Sequence, residues 1–384
     1  MILVMGIVFW SCLGMIFYIY VGYPILVFFL AQVIKKKVNK GSYEPMVTFL
    51  IAAFNEEKHI GQTIENKLQL NYPLDKLEII VISDESNDRT DEIVNSFDDC
   101  NVRLLRQQHR AGKTSALNMA VPQAKGEILV FSDANSIYAS DALRYLVENF
   151  YDPQVGYVTG RMIYTDSDGT LIGDGCSTYM KYENFLREME TSLGSVVGVD
   201  GGLDAMRNSL HSRLNSDQLP DFVQPLKVVK QGCRVVYEPK AILREASLQE
   251  AGDEYRMRVR VSLRTLWALK DMHTLLWGRG GIVFAWQLWS HKVLRYLCFV
   301  FLIGALSANL VLAVQGNVLF LSFLVIQLTA YNAAILGMLL QKMGIDLKVI
   351  RLGHYFLLLN IASAHAVCKF ILGKKQVVWT PRKG

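Results

Sequence analysis

The first 34 residues, Met1 to Ile34, contain no Asp, Glu, Lys, Arg or His, and Lys35, Lys36, Lys37 and Lys40 follow at once. Roughly 20 apolar residues span a bilayer, so this run crosses once with length to spare. It reads as a tilted helix or a helix with an interfacial extension. A secretory leader would have a basic start, a shorter apolar region and a small-residue cleavage site. None is evident, so the run is expected to be a retained anchor. The lysines place the residues that follow on the cytoplasmic side.

The rest of the apolar excess lies far downstream. The chain is 384 residues long and 51% hydrophobic. Residues 42 to 265 have ordinary globular composition, enough for one α/β core. Apolar stretches return at about 293–314, 317–340 and 352–372. Just before them, Trp267, Trp277, Trp286 and Trp289 alternate with Arg264, Lys270, Arg279, His291 and Lys292. That mixture suits an amphipathic segment at the headgroup level. The expected organisation is an anchor and basic segment (1–41), an α/β domain (42–265), an interfacial segment (266–292) and a membrane region of about three spans with a basic tail (293–384). One span before the domain and three after put the tail outside. Lys369, Lys374, Lys375, Arg382 and Lys383 favour the inside, and the sequence leaves that conflict open.

The six cysteines are scattered, with no CxxC or Cys/His ligand spacing. They fit a reducing compartment without structural zinc. The net charge of +5 comes mostly from juxtamembrane lysine and arginine. It points to anionic lipid or a phosphorylated ligand, and no basic-aromatic motif points to nucleic acid.

Within the domain, β-rich apolar runs alternate with helical patterns: strands over 46–52, 77–83, 102–106 and 128–131, and helices over 57–70, 90–97, 112–120 and 141–151. This alternation means βαβ units and a doubly wound, Rossmann-like sheet. Beyond it, the sequence predicts a strand over 155–164, a long helix over 174–191, a tight glycine-rich segment over 198–207, a helix over 221–232 and a strand over 233–237. Asp84 and Asp133 each end a buried-strand pattern, where ligands bind in such sheets. Unpaired buried carboxylates are costly, so acids gathered there suggest a metal and a nucleotide.

Two familiar motifs fail. Gly112-Lys113-Thr114 lacks the glycine that a P-loop needs five positions earlier, where Gln107 stands. No GxGxxG follows the first strand, which argues against a dinucleotide-binding oxidoreductase. Five other blocks, in order, carry a resemblance: TFLIAAFNEE (48–57), VISDESNDRT (81–90), RAGKTSALN (110–118), FSDANS (131–136) and LPDFVQPLKVVKQGCRVVYEP (219–239). Together they resemble the membrane-embedded family 2 glycosyltransferases, relatives of hyaluronan, cellulose and poly-N-acetylglucosamine synthases. The likeness covers roughly residues 15 to 270, with a weaker echo in the tail (VVWTPR).

The resemblance implies a GT-A fold with flanking transmembrane and interfacial helices. It also implies a UDP-sugar donor, a divalent metal (Mg²⁺ or Mn²⁺) and inversion at the anomeric carbon. Ala53, Asn55 and Glu56 match the loop over the nucleoside, Asp84 the aspartate that reads uracil and ribose, and Lys113 the basic residue near the diphosphate. Asp133 and Asn135 occupy the DxD positions, with asparagine in place of the second aspartate. One charge fewer weakens free metal binding, so the diphosphate is expected to bring the metal. Asp221 matches the catalytic base, where one group takes the acceptor proton. Asp200, and less so Asp204, are candidates for donor-sugar contacts. The QxxRW block of processive members is missing, and among Arg256, Arg258, Arg260 and Arg264, Arg260 is the expected diphosphate partner. The expected activity is transfer from a UDP-sugar to a growing cell-surface polysaccharide at the plasma membrane, with export through the protein's own spans. Single addition to a lipid-linked acceptor is the alternative. A rival of another class is an inactive nucleotide-binding membrane subunit, against which Asp84, Asp133 and Asp221 argue. The sugar, linkage and oligomeric state are not legible.

Overall fold

The computed structural model describes residues 1–97, 101–164, 171–245, 251–342 and 348–376. Val47–Ala53 (β1) and Leu77–Ser83 (β2) are buried at every position, as apolar runs without polar alternation require of inner strands. They pair in parallel with each other. Val102–Arg106 (β3) extends the sheet beyond β2, and Ile128–Asp133 (β4) lies on the other side of β1. Ile137–Tyr138 (β5), Val155–Tyr164 (β6), Leu203–Arg207 (β7) and Arg234–Glu245 (β8) complete the order β3-β2-β1-β4-β7-β6-β8-β5. β7 is antiparallel to both β4 and β6, so the parallel half expected from the βαβ pattern continues into a mixed half.

β7 falls inside the segment expected to be a tight glycine-rich loop. Asp204 and the glycines before it break the strand pattern, but partners on both sides override local propensity. β8 runs eight residues further than its apolar core suggested. Its pairing with β6 shifts register between Tyr237 and Ile242, and an irregularity there accommodates Pro239, which cannot serve a regular ladder.

Both faces of the sheet are covered. Phe49, Ile51, Ile79, Val81 and Val130 pack with the helices Ile60–Leu68 and Ala142–Val147. Leu50, Ile80, Ile82, Leu129 and Phe131 pack with Lys113–Ala120 and Pro220–Lys230. Ala53 lies opposite Ser83, and Ala52 opposite Asp133. The residues just beyond these strand ends therefore gather at one edge.

The uncharged N-terminal run is one long helix with a π turn inside it: Ile2–Phe17, Tyr18–Gly22, Tyr23–Ile34. The Lys36 N–H donates to the Ser192 carbonyl and ties its end to the domain. By length and composition, Ile2–Ile34, Val318–Gly337 and Val349–Ile371 could cross a membrane, as could Ile282–Tyr296 with Cys298–Val314, a pair bent by 57°. Cys298–Val314 runs antiparallel to the first helix: Phe9 packs on Ala305, Ala308 and Leu312, and a Cβ on Gly304 would lie 2.8 Å from Cys12 Sγ. Val318–Lys342 starts beside the same place, with Phe320 and Phe323 ringing Phe9.

Lys348–Ile371 behaves differently, because it lies on domain helices. Tyr355 donates to Glu254 at 2.8 Å, and Phe370 packs edge-on against Trp267 at 4.8 Å. Beyond it, Trp267 Nε1 donates to the Lys374 carbonyl at 3.0 Å, and Lys375 pairs with Asp217 at 2.5 Å. Residues 374 and 375 thus sit on the domain's side, as the basic tail suggested and against the count of spans. The VVWTPR echo lies outside the described residues. In the segment expected to be interfacial, Trp277 and Ile282 are 79% and 85% exposed at a glycine-rich turn between the helices His273–Leu276 and Ile282–Leu288.

Candidate active site

The helix Ile60–Leu68 fixes the turn after β4. Thr63 Oγ1 donates to the Ala134 carbonyl at 2.7 Å, Lys67 Nζ to the Ser136 carbonyl at 2.6 Å, and Asn66 Nδ2 to the Tyr138 carbonyl at 3.0 Å. Lys67 is fully buried, with its ammonium 3.6 Å from the Tyr138 ring centroid. Burial pushes its pKa well below the usual lysine value. The turn so held carries Asp133 and Asn135.

At the end of β2, Asp84 is fully buried. Its carboxylate accepts from Gln107 Nε2 (2.7 Å) and from the N–H groups of Ala111 (2.8 Å) and Gly112 (3.0 Å). It therefore shapes the loop that delivers Lys113. Ala53, at the end of β1, accepts the Asp84 N–H. Asn55 adopts a left-handed conformation (φ 56). Its N–H donates to Ser86 Oγ, and its Oδ1 accepts the Asn87 N–H, while the Glu56 N–H donates to Thr90 Oγ1. The loops after β1 and β2 are thus cross-tied into one rim.

Lys113 joins two of the expected residues. Its Nζ donates to Asp133 Oδ1 at 2.9 Å and lies 3.4 Å from Asp221 Oδ1. Burial alone would lower its pKa, but the two carboxylates outweigh burial and hold it above the usual lysine range. Asp221 opens the helix Pro220–Lys230. Burial raises its pKa, while Lys113 opposes the shift, which strengthens the carboxylate as a base. Gly201 lies against it with φ +87, and a Cβ there would meet the Asp221 carboxyl at 2.6 Å. Only glycine combines that conformation with that approach.

Other expected residues are engaged within the fold. Both oxygens of Asp200 are bound by Arg187 in a buried bidentate pair at 2.5 Å. A buried carboxylate so engaged braces the 198–201 loop and is not presented to a donor sugar. Asp204 sits within β7, fully buried. Tyr157 donates to it at 2.9 Å, and its pKa is raised to about 7, chiefly by burial, with Asp221 and Asp200 adding to the rise. Among the arginines of Ala251–Asp271, Arg264 reaches the segment just before Asp221, donating to the carbonyls of Asp217 and Gln218 and to Thr114 Oγ1. Arg260 lies one turn away. Arg187 escaped the sequence reading, and Arg264, one of the four arginines weighed there, was passed over for Arg260. The four-residue spacing of Arg260 and Arg264 was the only hint of the second.

The donor set suits a hard cation only in part. Asp133 is 39% exposed at the strand end, with Asn135 beside it. Among the described residues, no group of three or more His, Cys, Asp or Glu is placed to hold a metal. Divalent cations that bind through one or two carboxylates complete their shells with water and substrate phosphate. The residues therefore fit a metal that arrives with a diphosphate.

A parallel-to-mixed sheet with acids and a lysine at its strand ends defines the GT-A class of glycosyltransferase domains. Residues 48–214 match the family model described as Glycosyl transferase family 2, and the domain is a family 2 glycosyltransferase domain. The chain is 30% identical over 220 residues to a poly-beta-1,6-N-acetyl-D-glucosamine synthase of Staphylococcus aureus, covering 56% of this chain and 53% of that protein. It is 31% identical over 182 residues to a beta-monoglucosyldiacylglycerol synthase of Trichormus variabilis, covering 46% of this chain and 39% of that protein. The chain thus spans about half the length, or less, of these curated relatives. The fold, terminal helices included, is that of the mannosyltransferase PcManGT from Pyrobaculum calidifontis, solved with GDP-Man and Mn²⁺. That structure has a TM-score of 0.74 at 23% identity and covers 95% of this chain and 99% of its own.

Proposed function

We propose that this chain is an inverting glycosyltransferase that passes a sugar from a UDP-sugar to a glycan acceptor at the cytoplasmic face of the plasma membrane. The observation that carries this reading is the cluster Asp133–Lys113–Asp221 at the carboxyl ends of parallel strands. Asp221 takes the proton of the acceptor hydroxyl as that oxygen attacks the anomeric carbon. A single base and a single displacement invert the configuration. Lys113 neutralises charge on the departing diphosphate, and Asp133 and Asn135 would hold a divalent metal there. When bound, such a metal supplies Lewis-acid stabilisation of the leaving group. Release of nucleoside diphosphate from a panel of UDP- and GDP-sugars, with Mg²⁺ or Mn²⁺, tests the reading. Activity that survives both EDTA and Asp133→Ala would remove the metal from it.

The name of the Staphylococcus relative supports a polysaccharide acceptor. A second reading, single addition to a lipid-linked acceptor, is favoured by the packing of the terminal helices. Phe9, Ala305, Ala308 and Leu312 close together with Phe320 and Phe323, and Asn309 lies 3.3 Å from Gln327. Three crossings packed side chain to side chain suit an enzyme that modifies a lipid-borne acceptor better than one that exports a polymer. The Trichormus relative, named for a glycolipid, is consistent with that.

A further inference from the structure

We propose that Arg187 is a positioning residue for the base: it holds the loop that seats Gly201 against Asp221. The proposal rests on Asp221 as the base in the reading above and adds a residue that acts on it from another element.

Arg187 lies near the end of the helix Leu171–Leu193 and is buried. Its Nη1 donates to Asn184 Oδ1 at 2.9 Å, which pins the guanidinium to its own helix. The other hydrogen bonds go to one loop. Nε donates to the Gly198 carbonyl at 3.2 Å, and Nη1 and Nη2 donate to the two Asp200 oxygens at 2.5 Å. A guanidinium is a rigid planar fork, so these bonds fix both the distance and the direction of the loop. The residue after Asp200 is Gly201, where a Cβ would lie 2.6 Å from the Asp221 carboxyl. Consecutive Cα atoms are about 3.8 Å apart, so a single peptide unit separates the residue that Arg187 grips from the residue against the base.

The two ends of the loop are held by other means. The Val196 N–H donates to the Val235 carbonyl at 2.9 Å, and the Val197 N–H donates to Glu190 Oε2 at 3.2 Å. Glu190 also accepts from the Tyr23 hydroxyl at 2.6 Å, so the same helix is tied to the N-terminal membrane helix. After Gly201, β7 starts at Leu203 and pairs with β4 and β6. Among the described residues, the side-chain hydrogen bonds to Gly198 and Asp200, between those ends, all come from Arg187.

A buried ion pair contributes little net stability compared with an apolar pair of the same volume. What this pair supplies is a fixed loop geometry. Without it, residues 198–200 are free to move between their held ends, and Gly201 no longer fixes where the Asp221 carboxyl stands. A base displaced by about 1 Å costs on the order of 10²-fold in rate. Lys113 Nζ is 3.5 Å from the Gly201 carbonyl but 2.9 Å from Asp133. Its main hold is therefore outside the loop, and the loss should fall on turnover more than on donor binding.

The test uses the full chain in phosphatidylcholine nanodiscs and the double variant Arg187→Met with Asp200→Asn, which leaves no unpaired buried charge. Its kcat should fall by about tenfold or more, with donor KM within about threefold of wild type. Placed on top of Asp221→Asn, the same pair of changes should cost less than about twofold more, because residues that act through one group are not additive. Should the double variant fail to fold, Arg187→Lys gives the same comparison: it keeps the charge but cannot serve both Asp200 oxygens and the Gly198 carbonyl. Wild-type kcat in a folded variant, or an equal loss in the Asp221→Asn background, overturns the proposal. A rise in donor KM with kcat unchanged also overturns it and returns Asp200 to the donor sugar. Near-normal turnover by Asp221→Asn alone would instead refute the base. Hydrogen exchange read by mass spectrometry needs no turnover. Peptides over 196–204 and 218–224 should exchange at least about tenfold faster in the double variant, with β1 unchanged. Unchanged exchange at 218–224 would show that the hold does not reach Asp221. A chain inactive on every donor that still shows the faster exchange would refute the transferase reading and leave this coupling standing.

Discussion

Lys113 Nζ stands 2.9 Å from Asp133 Oδ1 and 3.4 Å from Asp221 Oδ1, so one ammonium holds the two carboxylates together. Asp84 sets the loop that brings it there, through the N–H groups of Ala111 and Gly112. Lys113→Met keeps the stem and removes the charge. Affinity for nucleoside diphosphate should fall by about tenfold or more, the worth of a lost charged contact. The two carboxylates, left to repel each other, should bind Mn²⁺ alone more tightly. Isothermal titration of Mn²⁺ and of UDP, run separately, measures both effects. Unchanged UDP affinity would remove Lys113 from the diphosphate site.

Asp221→Asn preserves size and ends proton acceptance. Turnover should fall by at least about 10²-fold, the lower range for general-base catalysis, with UDP affinity near wild type. In the wild-type enzyme the carboxylate must be ionised to act. Burial raises its pKa, so the rate should climb with pH through a limb above the ordinary aspartate range, and Asp221→Asn should lack that limb. Near-normal turnover by purified Asp221→Asn would refute the assignment.

Gly201→Ala forces a methyl against the Asp221 carboxyl at a φ of +87. Either the loop or the aspartate must shift, and each moves the base. Misplacement on the scale of 1 Å costs on the order of 10²-fold in rate, with donor KM little changed. Steady-state kinetics beside a thermal melt separates this effect from unfolding, and full activity in a folded variant would show that the contact is slack.

The parallel half of the sheet was legible because fully apolar runs ending in Asp84 and Asp133 have few other uses. Lys113 was legible for a similar reason: a cation at the first position of a helix opposes the dipole and needs an anion nearby. Asp200 misled because its partner, Arg187, is thirteen residues earlier on a different element, and long-range pairing leaves no local trace. β7 was hidden for the same reason, since its stability comes from β4 and β6. The helix Lys348–Ile371 has the composition of a span, and contacts such as those with Glu254 and Trp267, which leave no mark in the sequence, tie it to the domain.

Asp204 makes stability depend on pH. Its folded pKa of about 7 lies well above the ordinary aspartate range. An acid raised in this way contributes stability that is fully present below its unfolded pKa and lost as pH rises through the folded one. Over that window the raised pKa is worth at most on the order of 4 kcal/mol. Asp204→Asn keeps an acceptor for Tyr157 and cannot ionise. It should melt within a few degrees of wild type at pH 5 and several degrees higher at pH 8. A wild-type melting temperature with the same pH dependence as the variant between pH 5 and 8 would show that Asp204 does not titrate there.

The contact between Trp267 and Lys374 makes a claim about sidedness. If the N-terminal helix crosses once, Cys298–Val314 crosses back and Val318–Lys342 returns, then Lys348–Ile371 lies along the domain and the tail shares its side. The N-terminus and the short connection at 315–317 are then on the far side, and the basic residues at 35–40 and at the tail agree in placing domain and tail inside. Single cysteines at three exposed positions test this in a cysteine-free background: Leu3→Cys, Asp75→Cys and Lys374→Cys, probed with an impermeant thiol reagent. Leu3→Cys should label on intact cells, whereas Asp75→Cys and Lys374→Cys should label only after lysis. Labelling of Asp75→Cys on intact cells would overturn the cytoplasmic placement of the domain. Labelling of Lys374→Cys alone would mean that Lys348–Ile371 crosses, which the Lys375–Asp217 ion pair forbids because it requires both residues to share one side of the membrane.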